Sequence, residues 1–138
     1  MALTDVLSIA GSALSAESVR LNTTSSNLAN AETEASSPEA AYRSRHPYFS
    51  TVLREVNGQD DQSVGVAVQG IMESRAPIPK RYEPDNPLAD ENGYVYGSNV
   101  NSVEEMVNMI SASRSYQNNV EVFNTSKELL LRTLSLGQ

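Results

Sequence analysis

A mostly apolar stripe in the last third of the chain recurs at alternating spacings of three and four: Met106, Met109, Ser113, Tyr116, Val120, Phe123, Lys127, Leu130 and Leu134, with Val103, Ile110 and Leu131 widening it. That is the seam of a coiled coil, and no Pro interrupts it before Gly137 ends the run. Ser102 with Glu105 three residues on reads as a capping box, so the pattern predicts a helix from Ser102 to Leu136. Such a helix is about 50 Å long at the usual helical rise, more than a small compact domain needs, and it requires a partner of similar length. Polar Ser113 and Lys127 within the seam, and Gln117, Asn118, Asn119 and Asn124 beside it, weaken a helix pair while selecting its register.

The partner lies at the other end of the chain. Leu7, Leu14, Leu21 and Leu28 fall seven apart, Leu3, Ala10, Ala13 and Ala31 fill in the same face, and Thr4 and Asp5 are candidate caps. Over about 28 residues this helix spans roughly 40 Å, so the two terminal helices match and are expected to lie antiparallel. The polar run Asn22, Thr23, Thr24, Ser25, Ser26 and Asn27 lowers intrinsic helicity, which leaves packing to supply the order. Val19, Val107, Val122 and Leu129 sit off both seams. A two-helix hairpin buries one stripe per helix, so these residues call for further helices from other chains.

Between the helices the period is lost. Residues 31–47 are polar, carry Pro38 and Pro47, and read as a linker. Residues 48–56 read as a strand, Val64, Val66 and Val68 alternate as a second, and Asn57-Gly58 with the polar residues after it supplies a turn. Residues 71–82 either continue that strand or add a third, with Pro77 and Pro79 confining the piece to an edge. Asp90, Glu91, Asn92 and Gly93 form a turn ahead of a short strand at Tyr94, Val95 and Tyr96. The fold class expected is therefore α+β: an N-terminal helix in residues 1–31, a β-rich, loop-containing middle in 32–101, and a C-terminal helix in 102–138, the two helices forming one antiparallel coiled-coil domain.

Charge sharpens this division. Of the net −7, residues 1–31 carry two acids and one base, 32–101 eleven and six, and 102–138 four and three. Near-neutral ends suit surfaces that pack together, and the acidic excess disfavours nucleic acid and anionic membrane as partners. Without Cys there is no disulfide, thiol nucleophile or thiolate metal site. His46 is the only histidine, which excludes catalytic triads and two-His metal motifs, and there is no phosphate loop or nucleophile elbow. The acidic cluster near Asp90 fails calcium-loop spacing because Pro87 stands where the second ligand belongs, so a solvated acidic turn is expected, with no metal and no cofactor. An enzyme would need a carboxylate pair that no spacing selects. The amino terminus lacks the basic region of a secretory signal, and no stretch approaches the ~20 apolar residues that span a bilayer.

Residues 13–33, ALSAESVRLNTTSSNLANAET, resemble the terminal signature of the flagellar rod and hook protein family, with Arg20, Asn22, Ser26, Asn27, Leu28, Ala29, Asn30 and Thr33 matching its pattern. Residues 99–120 with the segment YEPDNPLADENGYV are similar to the short, proximal-rod members in particular. Ser98 stands where the family usually has Pro, which loosens the lead-in to the last helix. The resemblance implies a structural subunit of the basal body that assembles with other rod proteins and copies of itself into a helical drive shaft. It also implies export by the flagellar type III apparatus without a cleaved signal peptide. The assembly interface expected on this basis comprises Leu7, Leu14, Leu21, Asn27, Leu28 and Asn30 from the first helix and Met106, Met109, Ile110, Tyr116, Val120, Phe123, Leu130 and Leu134 from the last. A monomeric helical-hairpin binding module is the alternative.

Overall fold

A computed structural model describes residues 3–55 and 62–136. Helix α1 runs over Leu3–Ala29 and helix α2 over Ser102–Leu136. Asn27 near the end of α1 meets Glu105 near the start of α2, so the helices are antiparallel, as expected for the α+β class. Helix α1 begins at least as early as Leu3, which puts Thr4 and Asp5 inside its first turn rather than at its cap. Just past its end, Asn30 donates its side-chain amide to the Ser26 carbonyl at 2.9 Å, beside its own backbone amide at 3.2 Å. Gly137 and the turn at Asn57-Gly58 lie outside the described residues.

The capping box is not what starts α2. The Oδ1 of Asn101 accepts the amides of Val103 (3.1 Å) and Glu104 (3.3 Å), so Asn101 is the cap and Ser102 the first helical residue. Glu105 is thereby free to turn inward, where it is 2% exposed.

The seam of α2 differs from the expected one by half. Met109, Phe123 and Leu130 lie on the partly covered side facing α1, but the positions buried there are Glu105, Ala112 and Ser126, one residue before Met106, Ser113 and Lys127. Opposite them, α1 buries Ala10, Ala16, Thr23, Thr24 and Asn27. Small side chains permit close approach of the helices, and Thr23 hides its hydroxyl by donating to the Val19 carbonyl at 2.8 Å. The polar run that lowers helicity thus forms part of the internal face.

A long antiparallel hairpin, β2 (Arg45–Glu55) with β3 (Gln62–Glu73), packs on α1. It starts earlier than the sequence pattern predicts, absorbing the end of the polar linker and Pro47, and carries a register shift between Tyr48 and Phe49. The Oγ of Ser12 accepts the Val66 amide at 3.1 Å, and a side chain at Gly65 would crowd that oxygen at 3.3 Å. A second sheet, unpredicted in its order, pairs β1 (Glu34–Ala35), β5 (Tyr94–Gly97) and β4 (Lys80–Tyr82), with β5 in the centre. Val95 of β5 is 1% exposed.

Asp90 organises the acidic turn. Its Oδ1 accepts the amides of Tyr94 (2.8 Å) and Asn92 (2.9 Å), and Oδ2 accepts the Tyr96 hydroxyl (3.1 Å). The Tyr94 amide, foremost among these donors, holds the Asp90 carboxyl below its ordinary range. The same contact with Asp90 raises the Tyr96 phenol above its own. Gly93 closes the turn at φ 80°, a conformation open to Gly. Glu34 ties this region to β1 through an ion pair with Arg81 and a hydrogen bond from Asn86 at 3.1 Å.

Candidate assembly interface

Helix α2 has two faces of opposite character. Toward α1 it presents Glu105, Ala112 and Ser126. On the far side, Val103, Val107 and Ile110 are 71%, 62% and 56% exposed, and Val122 and Leu129 extend the same strip, with Met106 at its edge. Arg114, Asn118 and Glu121 break the strip in its middle. Measured from the Asn27–Glu105 contact, α2 outruns α1 at the other end, and residues 131–136 are all exposed, Leu131, Leu134 and Leu136 among them. A monomer gains nothing from such residues, and the exposed apolar clusters on either side of that polar break are candidates for a contact site.

The residues expected at the interface separate into three groups. Met106, Ile110, Tyr116 and Leu134 are exposed and available. Leu7, Leu14, Leu21, Leu28, Met109, Val120, Phe123 and Leu130 are half-buried along the helix pair, and Asn30 is half-buried at its cap. Asn27 stands apart: it is 0% exposed and its hydrogen-bonding capacity is used inside the subunit. Val107, Val122 and Leu129, which sit off the seam, and Val103, which widens it, lie outside that set and are all exposed.

Behind this surface lies a hydrogen-bonded junction. The Nδ2 of Asn27 donates to the Arg45 carbonyl (2.8 Å) and to Glu105 Oε2 (3.1 Å), while Oδ1 accepts the Arg45 amide (2.9 Å) and the Tyr42 hydroxyl (3.0 Å). One residue earlier, just ahead of the strand, the Ser44 amide donates to Asn99 Oδ1 at 2.7 Å, and Asn99 donates onward to the Ala76 carbonyl at 3.0 Å. Two asparagines, one from each helix end, therefore grip consecutive residues at the base of the hairpin. His46 Nδ1 stands 3.9 Å from Glu105 Oε1, an ion-pair distance rather than a hydrogen bond. Among the described residues, no three His, Asp or Glu side chains cluster as metal ligands.

The two helices coincide with what known proteins share. Residues 7–34 match the family described as flagella basal body rod protein, and residues 91–136 match the flagellar basal body rod FlgEFG protein C-terminal family. Over the full length of both chains, the sequence is 50% identical to the flagellar basal-body rod protein FlgC of Salmonella typhimurium. The chain belongs to the FlgC family. The FlgC proteins of Yersinia enterocolitica and of Buchnera aphidicola from Schizaphis graminum are 49% and 44% identical, again with complete coverage. Membership makes the chain a structural subunit of the flagellar basal-body rod, and FlgC-type length explains why the fold holds only a small β region between its terminal helices.

Proposed function

We propose that the exposed strip of α2 is completed by neighbouring subunits, which are copies of this chain and other rod proteins, and that the stack so formed is the torque-transmitting shaft. The observation that carries this reading is the apolar row Val103, Val107, Ile110, Val122 and Leu129 on the side of α2 away from α1. A strip on one face of a subunit meeting a different face on the next is a heterologous contact, which repeats as a helix rather than closing as a dimer. The role is non-enzymatic: the polar groups of the junction are occupied by one another. Delivery is by the flagellar type III apparatus, without a cleaved signal, and neither nucleic acid nor membrane lipid is a partner.

Small and polar residues dominate the buried α1–α2 face, so the helix pair gains little from burial on its own. Assembly then adds helical order as well as contacts, a coupled folding and binding. Circular dichroism of dilute subunit and of assembled particles tests this; full helix content in the dilute subunit, with no gain on assembly, opposes it. The α1–α2 pairing within one chain also favours a second reading, a self-contained helical-hairpin binding module. Such a module stays monomeric at high concentration with both helices protected from amide exchange, whereas a rod subunit shows a protected sheet and exchanging helix ends.

A further inference from the structure

The side chain of Asn27 joins three parts of the fold: α1, which carries it; the base of the hairpin, through both backbone groups of Arg45; and α2, through Glu105. A carboxamide has two donor hydrogens and two acceptor lone pairs, and here the four are all engaged. The orientation of the amide is dictated by the Arg45 backbone, whose N–H must face Oδ1 and whose C=O must face Nδ2. Glu105 supplies the one acceptor for the remaining Nδ2 hydrogen, and the Tyr42 hydroxyl supplies the second donor to Oδ1.

We propose that Asn27 is a positioning residue that makes the setting of the hairpin depend on the docking of α2. With α2 in place, Glu105 holds Nδ2 toward itself and keeps Oδ1 aimed at the Arg45 amide. With α2 displaced, one Nδ2 hydrogen loses its Glu105 acceptor, and the hold of the amide on the Arg45 backbone loosens. The Arg45 backbone is thus the point at which the docking of α2 reaches the hairpin. Ser44 provides an internal control: its amide is held by Asn99, which has no hydrogen bond to Glu105.

The test is site-resolved amide exchange by NMR on the full chain. Glu105→Ala is expected to speed exchange of the Arg45 amide by about tenfold or more, the usual effect of losing a hydrogen bond to a charged group, while Ser44 changes by less than about threefold. Glu105→Gln, which retains an acceptor oxygen, is expected to restore Arg45 protection to within about threefold of the parent. In an Asn27→Ala background, Glu105→Ala is expected to leave Arg45 exchange unchanged. Equal acceleration at Ser44 and Arg45 overturns the proposal, since that is general destabilisation, as does an Arg45 amide indifferent to Glu105. Should Glu105→Ala not fold, Glu105→Met, similar in size and without an oxygen acceptor, takes its place: acceleration at Arg45 without acceleration at Ser44 upholds the coupling, and an unchanged Arg45 amide or equal acceleration at both overturns it.

Discussion

Replacing Val107 and Ile110 together by Ser separates the stability of the subunit from its capacity to assemble. Fully burying a Val or Ile side chain is worth about 1.5–3 kcal/mol. Val107 is 62% and Ile110 56% exposed, so more than half of that gain, about 1–1.5 kcal/mol each, is realised only when a neighbour covers them. The double substitution therefore weakens a subunit contact by about 2–3 kcal/mol, a factor of roughly 30 to 150 in its dissociation constant. Within the monomer the same change is a surface substitution worth about 0.5 kcal/mol or less per site, with little change in helix propensity. Urea unfolding of the purified chain measures the first quantity, and the amount of subunit recovered in isolated basal bodies measures the second. A fall of several kcal/mol in unfolding free energy refutes the reasoning, because it means the strip is covered within the subunit. Undiminished recovery in basal bodies refutes it from the other side.

Three further outcomes are expected. Leu21→Asp or Val120→Asp, each placing a charge on the half-buried helix pair, abolishes rod incorporation but leaves export intact, which is read by comparing secreted and assembled subunit; loss of secretion contradicts the division. Gly93→Ala forces φ 80° on a residue with a Cβ and brings that atom to 2.9 Å from Tyr82 Cε2, so thermal unfolding should report a loss of about 1–3 kcal/mol. Asp90 binds its proton less readily folded than unfolded, because the Tyr94 amide favours the carboxylate; the stability it adds is complete above the ordinary value of 3.8 and is lost as pH falls through the lower folded value. Following the Tyr94 amide resonance against pH checks the sign, and a transition above the ordinary value contradicts it.

The sequence pattern makes the helices legible because each is long, periodic and free of Pro. It marks the seam of α2 less well, for a physical reason: the large apolar residues Val103, Met106, Val107 and Ile110 are those left outside, while Ala112 and Ser126, which carry no apolar signal, are buried against α1. On the proposed assembly, hydrophobicity in this chain records where surface is lost between subunits as well as within one. The cap at Asn101 was hidden by the better-known box at Ser102 and Glu105, and only the inward turn of Glu105 toward Asn27 distinguishes them. The three-stranded sheet was beyond reach because strands of two to four residues are too short to display a period. Asn27 was visible in the family signature as a conspicuous position, but its role needs the folded positions of Arg45 and Glu105, which are distant in sequence.

Because the chain has no cysteine, Ile110→Cys provides a single thiol at the centre of the exposed apolar row. Its rate of reaction with a water-soluble maleimide can be compared between purified subunit and intact basal bodies. Rapid labelling of the subunit together with strong protection in the basal body is the result predicted for a strip that neighbouring subunits cover. Equally rapid labelling in both contradicts it.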